Sequence, residues 1–247
     1  MMGHPDPMPM QAPAPLLEHL RSRPAMGPGR RRLVLLLSQL GDFDSMEYAQ
    51  ALVPVLPRLQ AAGIGTLAIA IGDGAGAERF CAHTGFPREA LEVKATPALH
   101  RALGLYAGLQ TPGGPWPALL LMCAGIGSPG TLQEVLRGYT GDRTAPQRLE
   151  GPLFRLAGGE GFQRPFELAT VRLQNMVEVL GHWRTYVPRD DFITQRGGTF
   201  LLEADDSLLY SHRDRGILGF SATMDRPLAF LEPFLGPAQQ RLEAGQG

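Results

Sequence analysis

Arg30-Arg31-Arg32-Leu33-Val34-Leu35-Leu36-Leu37-Ser38-Gln39-Leu40-Gly41-Asp42-Phe43-Asp44-Ser45 is the stretch on which the fold turns. Leu33 to Leu37 is an unbroken apolar run between polar residues, the pattern of a central strand covered on both faces. The chain then turns at Leu40-Gly41 and enters a helix. Asp44 or Ser45 can cap it, Glu47 lies in its first turn, and apolar residues recur at Met46, Ala49, Val53 and Leu56. Pro54 and Pro57 predict a bend in it.

Working outward, Gly63 closes this helix, and Ile64 to Ile71 reads as a second buried strand ending at Gly72-Asp73-Gly74. Residues 75–84 return to helical spacing. This βαβα order predicts parallel strands joined by right-handed crossovers, with ligand-facing loops at the strand carboxyl ends. Leu91 to Val93 predicts a short strand, and Pro97 to Leu103 a short helix.

From 108 to 195 the pattern loosens into an insertion rich in Gly and Pro. Within it lie an apolar segment at Leu119 to Met122 and a predicted helix near Leu132 to Arg137. In a stronger predicted helix, Ala169, Leu173, Met176, Leu180 and Trp183 share one face. Gly197 to Leu202 and Leu208 to Tyr210 then form a hairpin signature around Asp205-Asp206, and Met224 to Leu231 predicts a last helix. The organisation expected is a disordered leader at 1–29, one domain at 30–235 and a flexible tail at 236–247. Proline density argues against order in the leader, although Leu16, Leu17 and Leu20 could form one helical turn.

Hydrophobic residues make up 44% of the 247 and charged residues 19%, enough to bury a sizeable core. A net charge of −1 and a pI near 6.6 offer no attraction to a phosphate backbone, so nucleic acid is not an expected partner. Two cysteines, Cys81 and Cys123, match no zinc or redox-pair spacing and cannot staple a chain of this size, which predicts the reducing cytoplasm. The six histidines are scattered without metal-ligand spacing, so neither metal nor cofactor is expected. The longest apolar run, Ala118 to Ala124, is far short of the roughly 20 residues a bilayer needs.

The loops near glycine offer little chemistry of their own. Gly72-Asp73-Gly74-Ala75-Gly76 ends a strand and opens a helix, as phosphate loops do, but it lacks the P-loop Lys and the full dinucleotide signature. Ser128 lacks the flanks of a nucleophile elbow.

The βαβ start, the helix opening at the first strand end and the late hairpin together resemble the AhpC/TSA (peroxiredoxin-like) family, with its thioredoxin-like α/β fold. Arg196-Gly197-Gly198-Thr199-Phe200 with Tyr210-Ser211-His212-Arg213 is similar to that family's Gly-Gly-x-Phe strand and the strand after it. Pro97 to Tyr106 resembles its short helix ending in Leu-Gly-Leu-Tyr. The resemblance implies a peroxide-reducing cysteine nineteen positions before Ile64, where this chain carries Ser45. In the branch with a Gly-Cys-x-x-Cys loop, Gly41 aligns with the glycine, Asp42 with the first cysteine and Ser45 with the second.

Peroxide reduction by this family needs a thiolate and a sulfenic acid intermediate, and an alcohol supplies neither. Ser45, Asp42 and Arg196 are therefore expected to be vestigial active-site positions. Arg196 lies one residue from the place of the family's peroxide-polarising arginine, and pairing with Asp42 or Asp44 is its expected role. The expected function is a binding or assembly module linked to antioxidant defence. It would contact a protein partner through insertion 108–195, and a homodimer is compatible with the resemblance. The alternative is a thiol-dependent oxidoreductase using Cys81 or Cys123, although the sequence shows no activating group beside either. Packing in the core is the expected role of both thiols.

Overall fold

A computed structural model describes residues 10–131, 171–224 and 226–235. The strands are β1 (Arg32–Gln39), β2 (Gly65–Ile71), β3 (Leu91–Lys94), β4 (Gly198–Leu202) and β5 (Leu208–Arg213). Every residue of β1 is buried, as a strand covered on both faces must be. It lies mid-sheet in the order β3-β2-β1-β4-β5, parallel to β2 and antiparallel to β4. Outside them, β3 runs parallel to β2 and β5 antiparallel to β4.

The helices are α1 (Ala14–Arg21), α2 (Phe43–Leu52), α3 (Leu56–Ala61), α4 (Gly74–Thr84), α5 (Ala98–Ala102) and α6 (Pro115–Cys123). Beyond residue 170 come α7, described over 171–181, then α8 (Trp183–Tyr186) and α9 (Glu232–Leu235). The expected bend between α2 and α3 is a single 3-10 turn, Val53–Val55, containing Pro54. Asp73 caps α4 by accepting from the Gly76 N–H at 2.8 Å, and Gly85 ends it in the left-handed conformation.

Side chains alternate across β1 and feed two cores. Leu33, Leu35 and Leu37 pack with Met46, Ala49 and Leu52 of α2, Ala77 and Phe80 of α4, and Val179 of α7. Val34 and Leu36 face the other way, toward Leu16 and Leu20 of α1 and toward Leu103 and Leu105. A mixed sheet clothed on both faces by helices is the α/β, thioredoxin-like architecture that the sequence predicts.

Two expectations change. Part of the supposed leader is ordered: α1 buries Leu16 and Leu20 on the sheet, and Gln11 bridges to Ser207 beside β5. Proline density obscured this because Pro15 sits in the first turn of α1, where its missing N–H costs nothing. The last helix begins later than predicted, as a 3-10 turn at Ala229–Leu231 running into α9. The helix predicted near Leu132 to Arg137, the start of the leader at 1–9 and the tail at 236–247 fall outside the described residues. Among those described, no helix is long and apolar enough to cross a membrane.

Candidate functional site

The site forms where β1 gives way to α2. The β1–β2 register breaks between Leu36 and Gln39, which takes Leu37 and Ser38 out of the ladder. Their polar groups find other partners. The Leu37 carbonyl bonds to His100 Nε2 at 2.7 Å, and the Ser38 N–H donates to Ser45 Oγ at 3.1 Å. The Ser45 hydroxyl in turn donates to Asp42 Oδ2 at 3.0 Å, and the same oxygen accepts the Ser45 N–H at 3.1 Å. Asp42, rather than Asp44 or Ser45, is thus the cap of α2, because its side chain reaches the N–H three residues ahead.

Arg196 completes the group from the far side of the insertion. Its Nη1 donates to Asp42 Oδ1 at 3.1 Å, while Nε and Nη2 each donate at 3.3 Å to the Thr194 and Ile193 carbonyls. Arg196 is 2% exposed, so its charge depends on Asp42 for compensation. Ser45, Asp42 and Arg196, three positions singled out by sequence, therefore share one hydrogen-bonded chain. Gly41 precedes them at a tight crossing: a Cβ there would lie 2.6 Å from Val187 Cγ2.

Behind this chain is a polar cavity of about 10 Å³, lined by Asp42, Asp44, Ser45, Tyr48, Arg196 and Asp214 among others. Its volume is on the scale of a single water molecule. Asp44 Oδ2 accepts from the Gly219 N–H, but Asp44 Oδ1 is buried without a hydrogen-bond partner, and Asp214 Oδ1, also buried, has only the His212 ring beside it. Burial pushes the Asp44 carboxyl well above the ordinary range; the Asp42 charge adds to this and Arg172 opposes it. Burial raises Asp214 as well, against the pull of His212, whose Nε2 lies 3.3 Å from it. Tyr48 bonds to Thr199 on β4 at 2.8 Å, tying α2 to the sheet.

A second cavity, of about 1110 Å³, opens on the other side of the same loop. Gln39, Gly41 and Asp42 form its polar end, and α6, α7 and α8 supply a mostly apolar wall that includes Trp116, Leu173, Leu180 and Trp183. The two tryptophans stand 5.5 Å apart between ring centroids. Trp116 is 43% exposed, Leu173 58% and Leu180 62%, so these apolar groups line the cavity instead of filling a core.

The thiols lie in different settings. Cys81, on α4, packs half-buried against the main core and lines neither cavity. Burial pushes it up to about 11. Cys123 ends α6, is exposed rather than in the core, and lines the large cavity with Asp42. Burial of its sulfur raises its pKa too, while the Arg196 charge pulls the other way. An exposed position follows from α6, whose apolar residues do not confine themselves to one face: Leu120 is 68% exposed and Leu121 38%.

Sequence reading missed Asp44 as a buried acid, Asp214, Tyr48 and Gln39. No local motif marks them, since burial comes from strands and loops far apart in the chain. Among the described residues no group of His, Cys, Asp and Glu is placed to hold a metal ion.

A parallel βαβ unit extended by an antiparallel hairpin, with a polar cluster where the first crossover helix begins, defines a thioredoxin-like protein of peroxiredoxin type. The family is explicit in the chain itself: a model described as AhpC/TSA antioxidant enzyme matches residues 51–216, more than half of the sequence, and the protein belongs to that family. The matched residues include Cys81, Cys123 and Arg196 and begin after Asp42 and Ser45. No curated protein and no solved structure matches the chain.

Proposed function

We propose that this member of the AhpC/TSA family has given up autonomous thiol peroxidase chemistry at the β1–α2 junction and acts as a binding or assembly module. The observation carrying this reading is the bonding of Ser45, whose Oγ accepts from the Ser38 N–H and donates to Asp42 Oδ2. The hydroxyl serves the backbone and the ion pair. A peroxidatic group there would need to be a thiolate, and a carboxylate oxygen 3.0 Å away opposes a second negative charge. In this reading the insertion at 108–195 is the binding element, the protein belongs to the reducing cytoplasm, and any link to antioxidant defence runs through what it binds.

Purified protein given hydrogen peroxide, thioredoxin, thioredoxin reductase and NADPH is expected to consume no peroxide above background. Ser45→Cys is expected to stay inactive because Asp42 remains. Turnover by the unaltered protein at ordinary peroxiredoxin rates would eliminate the reading.

One observation favours a second reading: Cys123 shares the large cavity with Asp42 and feels the Arg196 charge. There the Cys123 thiolate would attack the peroxide O–O bond, forming a sulfenic acid and releasing water or an alcohol. A thiol from an external reductant would then condense with the sulfenic acid and expel water. Cys81 lines neither cavity, and the pull of the Arg88 charge on it is countered by Glu78 and Glu89. Dimedone labelling after mild peroxide treatment, read by mass spectrometry, separates the readings: a label on Cys123 supports the second, and unlabelled cysteines support the first.

A further inference from the structure

We infer that α6 and α7 form the contact face of a homodimer, the groove between them receiving the same two helices of a second copy. The inference rests on the assembly reading above and names the partner.

Helix α7 carries its amphipathicity inside out. Its polar residues meet the body of the domain: Arg172 pairs with Glu47 at 2.5 Å and Glu178 with Arg79 at 2.6 Å. Between them Asn175, 1% exposed, bonds to Gln50 at 3.0 Å and to His83 at 2.7 Å. Val179 is the one described α7 residue in the core. Leu173, Met176, Val177 and Leu180 fall on the other face, in the i, i+3, i+4, i+7 pattern that normally turns toward a core, and all four are exposed. A helix held to its own domain by polar contacts leaves that apolar stripe for another surface.

Helix α6 repeats the spacing with Trp116, Leu119, Leu120 and Cys123. Most of both stripes line the large cavity, with Leu120 and Val177 beside them on their helices. A groove between two helices, lined by anchors at these spacings, takes an amphipathic helix, and α6 and α7 of a second copy are such helices.

Area and charge both favour a second copy. Trp116, Leu120, Leu173, Met176, Val177 and Leu180 are each 38 to 68% exposed. Six large side chains at about half exposure amount to on the order of 600 Å² of apolar surface. Each copy in a stable homodimer gives about 800 Å², of which about 500 Å² is apolar. In a two-fold contact a patch meets itself, so a face with net charge would repel its copy. The stripes carry no charged side chain, and the charges at their margin come in opposite pairs, Arg184 with Asp190 at 3.0 Å and Arg189 with Asp191 at 3.0 Å. A lipid surface would instead ask for basic residues in excess around the apolar face.

Sedimentation velocity of the full chain is expected to show a species of twice the chain mass at micromolar concentration. Leu120→Glu and Leu180→Glu should each raise the dissociation constant at least about a hundredfold, because the contact would bury an unpaired charge. Both positions are exposed within one copy, so the variants should still unfold cooperatively. Leu209→Glu, at an exposed leucine of β5 outside both stripes, should leave the dimer intact. The only two tryptophans of the chain, Trp116 and Trp183, line the groove, so acrylamide should quench them more in the dissociated variants than in the dimer.

A monomeric unaltered chain overturns the inference, as does a dimer that survives both glutamates or that Leu209→Glu dissociates. A monomer that sediments with phosphatidylcholine vesicles would give the face to a lipid surface, and one whose tryptophans resist acrylamide would give it to the chain itself. Peroxide consumption in the same samples reports on the assembly reading separately: turnover removes that reading whether or not a dimer forms, whereas a monomer without turnover removes only the second copy as partner.

Discussion

Ser45 meets two obligations at once, completing the hydrogen bonding of a strand N–H released by the β1 irregularity and orienting the carboxylate that caps α2. Ser45→Ala leaves the buried Ser38 N–H without a partner and is expected to cost about 1–3 kcal/mol, measured by urea unfolding. Ser45→Cys should fall between alanine and serine, because a thiol is a weaker donor and acceptor. Asp44 leads to a pH prediction. Its folded carboxyl is raised above the unfolded value by burial, so the folded state holds the proton more tightly. The associated stability is present below the unfolded pKa and is lost as pH rises toward the folded one. Asp44→Asn should therefore raise the melting temperature relative to the unaltered protein at pH 8, with the advantage shrinking toward pH 4. A constant difference across that range would contradict the assignment. Residue types at 42, 45 and 196 were legible in the sequence because the family resemblance marks their positions. Asp214 and Gln39 were not, since burial of a polar side chain is a property of packing and leaves no local pattern.

At the level of elements, apolar runs and breakers carried the strands well. Leu33 to Leu37 and Ile64 to Ile71 fall within or overlap β1 and β2, and the Gly-Gly-Thr-Phe segment overlaps β4, because each run is long enough to be covered on both faces. Helix α1 escaped the same reading, since its two anchor residues sit within a proline-rich composition typical of disorder. Leu16 and Leu20 are 0% and 1% exposed, and Leu20→Ala is expected to cost about 2–5 kcal/mol in urea unfolding. A change of that size would be absent if residues 10–21 were a loose leader. Helix α7 escaped in the opposite sense: its apolar periodicity was legible, but only Val179 joins the core, while Leu173, Met176 and Leu180 line the large cavity. Periodicity identifies the apolar face of a helix and is silent on what that face meets. Gly197, just before β4, admits no side chain, because a Cβ would lie 2.1 Å from the Leu36 carbonyl oxygen. Gly197→Ala should displace β4 from β1, seen as lost amide protection across Val34 to Leu36 in hydrogen exchange.

Over the whole molecule, the Asp42–Arg196 pair fastens the front of the chain to its rear, its partners 154 positions apart in sequence. Asp42→Ala strands a buried guanidinium and should cost about 3–5 kcal/mol, well beyond the loss of a helix cap alone. Asp42→Asn, which keeps the cap, should recover only the smaller share, and chemical denaturation of the two variants measures the difference. The same closure appears in the sheet, where β1 is flanked on one side by β2 and on the other by β4. While a ribosome is still extending the polypeptide, β1 and β2 emerge early, yet the partner for the other edge of β1 is made only after the insertion has been translated. Throughout that interval a strand with a five-residue apolar run presents an open edge to its surroundings, a template for pairing with other nascent chains. Synthesis in the cell thus places on this protein a demand for chaperone shielding that its finished form conceals.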